Sequence, residues 1–513
     1  MLDEIDAKDG LKDIDLNEFY RSVEGTLTKI DTADGKQKVV TSLYEKFFKV
    51  AFPKDQSING VVYTPQEIVD FILRSAAGIL KQEFGLDISG ENVNILDPFT
   101  GTGTFVARLM ETGLIRKEDL ERKYTDELFA NEITLLAYYI AAVNIENVFA
   151  KILEPSEYRP FDHILLTDTF NIEEICKGRQ TTIGEEDYFK RNLDRIKAEN
   201  GTPITIIVGN PPYGATQKSA NDDAKKRTYR DGVDGGIEKK YLDAALFDGK
   251  KGNVNSVYDN YVRAFRWSTD RIGGSDGIVA FVTPNGWLSG SAFVGFRKCL
   301  EKEFSKIYVF NLRGDATTQG EMRRQEGDGV FGEGSRTGIS ITLLVKRKGF
   351  SGKAKVLYAK TEDCMKKKEK FDLLIKNGSF SDMERNDLLE VLKTKDNGDW
   401  IVQRDERFQK LIPLAGDTHK KFDKHEEETI FVGYTRGFGT CRDAWSYNFS
   451  KESVSKNMQN MIEEYNRQKE SGKVEYDTKK IAWDQNLLRD HKSKKNLVCD
   501  CGSIAPARYR PFD

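Results

Sequence analysis

A short polar stretch follows an apolar run in this sequence, and its residue types suit the binding of a flat ring that bears an amine. The run ITIIVG at 204–209 leads directly into Asn210, Pro211, Pro212 and Tyr213. The Asn210 side-chain oxygen and the Pro211 carbonyl oxygen could each accept one hydrogen of an exocyclic amine, which favours a pyramidal and more nucleophilic nitrogen. The proline pair stiffens the backbone, and stacking of a base on the tyrosine ring contributes roughly 1–3 kcal/mol. We therefore predict that these four residues form a catalytic site for a nucleobase; a proline-stiffened turn is the alternative.

A glycine-containing turn at 95–105, with the sequence ILDPFTGTGTF, is the second candidate site. An apolar strand ends at Asp97, and Gly101 and Gly103 form a tight turn before a helix, so that backbone N–H groups can approach a ligand. A phosphate ligand is not favoured, because the chain has no GxxxxGKS or GxxxxGKT motif and Val106 stands where a GxGxxG motif has glycine. An aspartate before the glycines attracts an ammonium group, as in the zwitterionic cofactor S-adenosylmethionine, whereas a plain strand–helix turn is the alternative. The predicted cofactor contacts in this turn are Asp97, Pro98, Thr100, Gly101, Gly103 and Thr104.

Two further acidic residues follow apolar runs and extend the predicted cofactor site. Glu132 lies after LFAN and before a helix, where its carboxylate could accept hydrogen bonds from two ribose hydroxyls, as in dinucleotide-binding folds. Asp168 lies after LLT, where it could accept a hydrogen bond from the exocyclic amine of adenine, with Phe170 beside the ring. The alternatives are a helix-capping acid at Glu132 and an ordinary turn aspartate at Asp168.

The elements that must position these residues are predicted from seven short apolar runs, which alternate with amphipathic segments. The runs lie at 93–96, 128–133, 163–168, 204–209, 277–284, 307–312 and 339–346. This alternation predicts an α/β fold with a largely parallel sheet, in which ligands bind beyond the carboxyl ends of the strands. We expect an N-terminal helical region at 1–55, a catalytic domain at 56–350 and a less regular C-terminal α+β domain at 351–513.

Length and composition are those of a multidomain protein in a reducing compartment. The 513 residues should form two or three domains. The net charge of −3 neither supports nor excludes a nucleic-acid partner, since many nucleic-acid enzymes are basic only in a cleft. No run of about 18 apolar residues predicts a membrane span, and the acidic N-terminus lacks a signal-peptide pattern. The six cysteines show neither a disulfide framework nor a zinc spacing, so we expect a cytoplasmic protein without a metal site.

The glycine turn and the NPPYG segment together resemble the DNA amino-methyltransferases of the adenine-N6 type. The segment GVVYTPQEIVDFIL at 60–73 resembles the one that precedes the glycine turn in the gamma class of these enzymes. The resemblance implies the class I S-adenosylmethionine-dependent methyltransferase fold, with a seven-stranded, mostly parallel sheet. It implies that Tyr63, Thr64 and Pro65 lie near the methionine end of the cofactor. It also implies that Phe331, otherwise a candidate core residue, packs on the extruded base.

Three later segments are similar to the methyltransferase part of the single-polypeptide type I (type ISP) restriction–modification enzymes. They are RGFGTCRDAWSYNFS at 436–450, IAWDQNLLRDHK at 481–492 and YRPFD at 509–513, and the resemblance extends over roughly 40–513. It implies a site-specific adenine-N6 methyltransferase that acts on double-stranded DNA within a restriction–modification system. The sequence stops where a target-recognition domain is expected, so we predict that this domain is absent or truncated. A separate specificity or restriction subunit is therefore a candidate partner.

Other activities are compatible with the same residues. The four-residue site could bind an RNA base or a protein amide, the target could be the N4 amine of cytosine, and a non-catalytic DNA-binding subunit could retain the fold. Because a base inside a duplex must be flipped out at a cost in free energy, we expect contacts to the phosphate backbone to offset that cost. The first candidates for those contacts are Lys218, Lys225, Lys226 and Arg227, and further candidates are Arg313, Arg323, Arg324, Arg336, Arg489, Lys492, Lys494 and Lys495.

Overall fold

The computed structural model describes most of the chain from residue 64 onward. The described residues are 64–176, 187–213, 240–241, 244, 255–331, 336–403, 405, 407, 410–415, 429–431, 439–477 and 479–507. Several sequence predictions concern residues outside this set: the helical region at 1–55, Tyr63, and the basic residues Lys218, Lys225, Lys226 and Arg227. The chain divides into two compact units, Met1–Arg404 and Asp405–Asp513.

The described residues form alternating strands and helices through most of the first unit. The strands are β1 (Ile95–Asp97), β2 (Leu128–Glu132), β3 (Ile164–Leu166), β4 (Ile206–Gly209), β5 (Gly277–Pro284), β6 (Lys306–Arg313), β7 (Ile339–Lys346), β8 (Lys355–Lys360) and β9 (Glu390–Val391). The α-helices are α1 (Gln66–Phe84), α2 (Thr104–Glu111), α3 (Lys117–Arg122), α4 (Leu135–Leu153), α5 (Ile172–Cys176), α6 (Asp187–Gly201), α7 (Asn260–Ile272), α8 (Val294–Glu303), α9 (Gly320–Glu326), α10 (Lys367–Asn377), α11 (Phe380–Arg385), α12 (Asp443–Ser446), α13 (Lys451–Ser471) and α14 (Gln485–Lys492).

The strands of the described residues form one sheet in the order β3-β2-β1-β4-β5-β7-β6-β8-β9. From β3 to β5 all neighbours in this order pair in parallel, whereas β7 runs antiparallel to both β5 and β6. Each of the seven apolar runs corresponds to one of the strands β1 to β7. The predicted α/β class with a mostly parallel sheet is therefore confirmed.

The sheet has nine strands rather than the seven expected, and the first unit continues beyond the expected boundary at 350. β8 pairs in parallel with β6, from Lys306 opposite Lys355 to Asn311 opposite Lys360. β9 then pairs with β8 in the antiparallel direction. Without β8, the backbone of β6 would present unpaired N–H and C=O groups at a sheet edge. Residues after 350 therefore complete the sheet of the first unit.

Helices cover both faces of the sheet, which explains why the central strands are apolar on both sides. On one face, Phe71 of α1 packs against Phe310 and Phe380, with ring centroids 5.8 and 5.1 Å apart. On the other face, Phe265 of α7 packs on Phe281 of β5 at a centroid distance of 5.4 Å. Full burial of such a side chain contributes about 1.5–3 kcal/mol. These two cores hold the ends of the strands in fixed positions.

Among the described helices, α4 is the one that is long and apolar enough to cross a membrane, by length and composition only, with a mean hydropathy of 1.2. In the structure, its side chains Ala141, Ile145 and Val148 are buried in the core beneath the sheet. Leu135, Tyr139 and Val143 of the same helix are exposed, so packing accounts for only part of its apolar composition.

The second unit has a small core of its own. Residues from α13, α14 and the segment between them, Met461, Tyr465, Ile481 and Leu487, are all buried together. Asp484 caps α14 by accepting a hydrogen bond from the backbone N–H of Leu487 at 2.7 Å. This arrangement is local in sequence, since its buried residues lie within one segment of the chain.

The glycine turn after β1 fixes how closely α2 approaches α4. Gly103 has a φ of 84°, and a Cβ atom there would lie 3.1 Å from both the Cα and the carbonyl oxygen of Ala141 in α4. Gly101 also has a positive φ of 56°, but an added Cβ would meet no described atom within 4 Å. The two glycines share a left-handed backbone and differ in packing.

We expect Gly103→Ala to lower the free energy of unfolding more than Gly101→Ala. Both substitutions place a side chain in the left-handed region, at roughly 1–2 kcal/mol each. Only Gly103→Ala also overpacks the contact with α4, which adds about 1–3 kcal/mol. Urea denaturation of the two variants measures the difference, and equal losses of stability would show that α4 does not constrain the turn.

Candidate active site at the strand ends

The predicted site residues lie at the carboxyl ends of four adjacent parallel strands. Asp97 ends β1 and Glu132 ends β2, while Asp168 follows β3 and Asn210 follows β4. β1 pairs with both β2 and β4, and neighbouring strands lie about 4.8 Å apart, so Asp97 is placed between Glu132 and Asn210. The tertiary structure thus brings these four residues to one edge of the sheet.

Hydrogen bonds tie the glycine turn to β2. The backbone N–H of Thr100 donates to the Asn131 carbonyl at 2.9 Å, and the N–H of Gly101 donates to the Glu132 carboxylate at 2.9 Å. The Thr100 hydroxyl donates to the Asp97 carbonyl at 2.9 Å. These bonds hold the turn against the neighbouring strand and keep both acidic side chains beside it.

Asp97 is a buried carboxyl with an incomplete set of hydrogen bonds. Its Oδ1 accepts from the Phe99 N–H at 3.1 Å, whereas Oδ2 is buried and has no hydrogen-bond partner among the described residues. Burial, together with the negative charge of Glu132, raises the pKa of Asp97 to about 8. Gly209 leaves room for this side chain, since a Cβ atom there would lie 2.9 Å from Oδ1. An unbonded buried carboxyl oxygen is unfavourable alone, and it suits a cationic ligand group.

The Glu132 carboxylate is bonded to the backbone through both oxygens. Its Oε2 accepts from Gly101 N–H, and its Oε1 accepts from Thr134 N–H at 2.7 Å. Burial raises the pKa of Glu132, although these hydrogen bonds oppose the shift. Each carboxylate oxygen can accept more than one hydrogen bond, so the group keeps the capacity to bind two ligand hydroxyls. The same geometry also supports the turn that leads into α4.

Asp168 caps the single helical turn Thr169–Asn171. Its carboxylate accepts from the Phe170 N–H at 3.2 Å and from the Asn171 side-chain amide at 2.8 Å. The neighbouring Thr169 hydroxyl donates to the Pro98 carbonyl at 2.6 Å, which fastens the segment after β3 to the glycine turn. The structure therefore shows Asp168 in the role of a turn aspartate, and its contact with an adenine amine stays a prediction.

Phe99 is a site residue that the sequence analysis did not single out. Its ring centroid lies 5.4 Å from that of Phe170 and 6.3 Å from that of Phe281. Its one sequence signal is its place two residues after Asp97. This aromatic cluster places apolar rings beside the glycine turn, where a low local dielectric constant strengthens electrostatic interactions.

Two hydroxyl groups hold the side-chain amide of Asn210. The amide nitrogen donates to the Thr64 hydroxyl at 3.0 Å, and the amide oxygen accepts from the Tyr213 hydroxyl at 2.5 Å. The Tyr213 hydroxyl also lies 3.1 Å from the Val282 carbonyl oxygen of β5. Because a carbonyl oxygen carries two lone pairs, the amide oxygen can accept a second donor while the tyrosine bond persists. Thr64, which the sequence analysis assigned to the cofactor, thus also orients Asn210; Pro65 follows it at the N-cap of α1.

Tyr213 and Phe331 form an aromatic pair beside Asn210. Their ring centroids are 6.4 Å apart and their planes are inclined at 61°. Burial raises the pKa of Tyr213 well above its usual value, so its hydroxyl remains a hydrogen-bond donor. Phe331 is buried and belongs to the main apolar core, which by itself would explain an aromatic residue at this position. Phe331 lies beside Tyr213, and the contact with a base that the resemblance implies stays a prediction.

Arg313, one of the expected DNA contacts, forms ion pairs within the protein. Arg313 is buried at the end of β6, where it forms a salt bridge with Asp363 at 2.6 Å and lies 3.6 Å from Glu326. Arg324, by contrast, is exposed on α9 and pairs with Glu321 at 2.5 Å. A buried and paired guanidinium is not placed to bind a phosphate group, so Arg313 does not have the position expected of a backbone contact.

Two family models match the chain. The family described as Eco57I restriction-modification methylase matches residues 104–315, which include Asn210 and Tyr213. The family described as Type ISP C-terminal specificity domain matches residues 429–513. The second match lies within 351–513, the region after which the sequence analysis predicted that a target-recognition domain is absent or truncated. No curated protein matches the chain.

Three solved structures are similar to this chain over nearly its whole length. The ATP-dependent Type ISP restriction-modification enzyme LlaBIII bound to DNA is 36% identical with a TM-score of 0.77, over 92% of this chain and 30% of that chain. The DrdV–DNA complex is 33% identical with a TM-score of 0.81, over 97% and 47%. A nuclease-deletion mutant of the Type ISP restriction-modification enzyme LlaGI, in complex with a DNA substrate mimic, is 36% identical with a TM-score of 0.76, over 96% and 39%. The chain therefore spans less than half the length of each of these proteins.

The sheet order, the glycine turn and the acids at the strand ends define a methyltransferase-like α/β unit. The two family matches and the three solved structures then identify the relatives of the whole chain. It is a type ISP methyltransferase-like protein.

We expect the pH dependence of stability to differ between wild type and Asp97→Asn. The pKa of Asp97 is about 8 in the folded state and about 3.9 in an unfolded chain. The folded carboxyl therefore holds its proton while the unfolded one loses it, so wild-type stability falls as pH rises from about 4 to about 8. The amide of the variant does not titrate, and the variant should gain stability relative to wild type across this window. Urea denaturation at pH 5 and pH 8 tests this, and parallel pH slopes would contradict it.

Proposed function

We propose that this chain is the methyltransferase part of a restriction–modification enzyme and that it methylates the N6 amine of an adenine flipped out of double-stranded DNA. S-adenosylmethionine is the proposed methyl donor. The observation that supports this most directly is the position of Asn210 beside Asp97, on adjacent strand ends and next to the Tyr213–Phe331 pair. A cofactor pocket and a pocket for an aromatic amine would then share one edge of the sheet.

The residues that would hold the cofactor suit its charges. S-adenosylmethionine carries an ammonium group and a sulfonium group, and the latter supplies the methyl group that is transferred. Asp97 Oδ2 is buried and has no hydrogen-bond partner among the described residues, so it could pair with the ammonium. Since burial raises the pKa of this carboxyl to about 8, pairing with a cation would release its proton near neutral pH. Glu132 could accept the two ribose hydroxyls through the lone pairs that its backbone bonds leave.

Asn210 is proposed to act on the target amine by hydrogen bonding. An exocyclic amine is a weak nucleophile because its lone pair is delocalised into the ring. If the Asn210 amide oxygen and the Pro211 carbonyl each accept one of its hydrogens, a pyramidal nitrogen with a localised lone pair is favoured. Thr64 and Tyr213 would hold the amide in the orientation that directs its oxygen to the amine. No general base is required, because the nitrogen can lose a proton to solvent after the methyl group has been transferred.

The same residues would position the base. Tyr213 offers a ring face for stacking, worth roughly 1–3 kcal/mol, and Phe331 would contact the base from a second side. Pro212 stiffens the turn that carries the tyrosine. Stacking in the pocket would offset part of the cost of flipping the base out of the duplex.

DNA is favoured over RNA and protein as the substrate. The solved relatives LlaBIII and DrdV, at 36% and 33% identity, are bound to DNA, and LlaGI, at 36% identity, is bound to a DNA substrate mimic. The match of residues 429–513 to a specificity domain supports site-specific recognition by this chain, at least in part. A separate specificity or restriction subunit is a further proposed partner. Adenine is preferred to cytosine because the motif carries Asn210, by family resemblance.

The test is incubation of the purified chain with methyl-tritiated S-adenosylmethionine and, separately, mixed-sequence duplex DNA, total RNA and protein extract. Nucleoside analysis of the labelled DNA identifies the target atom. We expect label in N6-methyladenine from the DNA. Label in N4-methylcytosine, RNA or protein would replace the proposal by one of those activities, and cofactor binding without transfer to any of the three would favour a non-catalytic subunit.

We expect Asn210→Ala to abolish methyl transfer and to leave cofactor binding within about twofold of wild type. The substitution removes the acceptor oxygen for the amine, whereas the predicted cofactor contacts on β1 and β2 remain. Loss of a group that acts mainly in the transition state lowers kcat, on the scale of about 100-fold or more. Isothermal titration with the cofactor and turnover on DNA give the two quantities. Unchanged turnover would remove Asn210 from the mechanism.

A further inference from the structure

Lys370 of α10 is a fully buried lysine whose ammonium group donates hydrogen bonds to three backbone carbonyls. Its Nζ donates to the carbonyl oxygens of Leu312 at 2.7 Å, Glu326 at 3.0 Å and Asp328 at 2.7 Å. An ammonium has three N–H donors, so this set uses all of them. Burial lowers the pKa of Lys370 to about 8, and the negative charges of Glu326 and Asp328 oppose that shift.

We call residues 312–331 the Phe331 loop. This segment begins at the end of β6 and contains all three carbonyls. Leu312 lies where the segment leaves the sheet, and Glu326 and Asp328 lie shortly before it reaches Phe331. The ammonium therefore joins the beginning of the loop to its end.

Further contacts fasten the Phe331 loop to the residues that precede α10. The Asp328 N–H donates to the Met365 carbonyl at 3.0 Å, and the Cys364 N–H donates to the Gln325 carbonyl at 3.1 Å. A Cβ atom on Gly327 would lie 2.3 Å from the Met365 carbonyl oxygen, so the two backbones touch at this point. The end of the loop thus has little freedom to move.

The loop leads directly to the aromatic pair. Phe331 lies three residues beyond Asp328, and its ring packs against Tyr213 with the centroids 6.4 Å apart. A displacement at Asp328 would therefore be passed to Phe331 through a short stretch of backbone. Tyr213 is in turn bonded to the Asn210 amide.

We propose that Lys370 is a positioning residue for the target-base pocket, because its ammonium holds the loop that places Phe331 against Tyr213. The proposal rests on the proposed function of this site as a DNA base pocket. Lys370 itself does not contact the base. It acts by limiting the positions that Phe331 can adopt before DNA binds, which lowers the ordering cost on binding.

Lys123 provides a matched control in the same unit. It is also fully buried, donates to the Val93 carbonyl at 2.8 Å and pairs with Glu127 at 2.7 Å. Val93 precedes β1, and Lys123 and Glu127 precede β2, so these contacts lie at the opposite end of the two strands from Asp97 and Glu132. Loss of this lysine should destabilise the fold without reaching the base pocket.

The first measurement compares amide hydrogen exchange in Lys370→Met and Lys123→Met. We expect exchange in residues 313–331 to become about tenfold faster in Lys370→Met, since local opening controls exchange there. Lys123→Met should leave exchange in these residues as it is in wild type. Unchanged exchange in Lys370→Met would overturn the proposal.

The second measurement uses the DNA duplex that the wild-type protein methylates. Lys370→Met should raise KM for that duplex about tenfold, while the Kd for S-adenosylmethionine stays at the wild-type value. Lys123→Met should change neither constant, and equal KM values in the two variants would contradict the proposal. A wild-type protein that does not methylate DNA would overturn the proposed function, and the exchange data would still decide whether Lys370 holds the loop.

A pair of glycines keeps the proposal testable if Lys370→Met does not fold. Gly327 and Gly320 lie in the same loop with φ of 66° and 59°, but an added Cβ at Gly320 meets no described atom within 4 Å. Gly327→Ala should push the loop away from Met365 and raise KM for DNA, with the cofactor Kd unchanged. Gly320→Ala should have the wild-type KM. Identical KM values for these two variants would overturn the proposal.

Discussion

Parallel pairing of β1 with both β2 and β4 is the constraint on which the site depends. In a parallel pair, hydrogen bonds run evenly along the strands and both carboxyl ends lie at the same edge. Leu96 is opposite Phe129 on one side and Ile207 on the other, so the residues that follow each strand converge. Asp97, Glu132 and Asn210 are neighbours because the register of the parallel strands places their carboxyl ends side by side. Their separation in sequence has no bearing on this.

The convergence of the strand ends buries two carboxyl groups, and hydrogen bonds within the fold offset only part of the free-energy cost of that burial. Asp97 and Glu132 are both buried, and burial raises the pKa of each. The backbone N–H groups of Gly101 and Thr134 compensate Glu132, whereas one oxygen of Asp97 has no partner among the described residues. A site that keeps an uncompensated buried carboxyl gives up stability. In the proposed function, the ammonium group of the cofactor would complete the set of partners of this carboxyl.

The antiparallel strand β7 brings a second group of residues to the same edge. β7 begins where β5 ends, with Ile339 opposite Pro284, so the chain before β7 must reach the carboxyl edge of the sheet. β6 ends at this edge as well, and the Phe331 loop connects the two. The reversal of one strand therefore explains how an aromatic residue far from the NPPY segment in sequence meets Tyr213. It also explains why the loop needs anchors of its own, since no strand pairing holds it.

The sequence by itself determined the strands β1 to β7 and the residues that follow them, because apolar runs, glycines and prolines act locally on the backbone. It also indicated the amide, the aromatic ring and the acids of the site from residue type alone. Other features depended on contacts between distant segments. β8 pairs with β6 because β6 would otherwise have an unpaired edge. The hydrogen bond between Thr64 and Asn210 joins residues that are 146 positions apart. The burial of Lys370 was not predictable, since a lysine in a charged helix is expected to be exposed until three carbonyls from another segment surround it. Only the tertiary structure decides which unsatisfied backbone groups a side chain can reach.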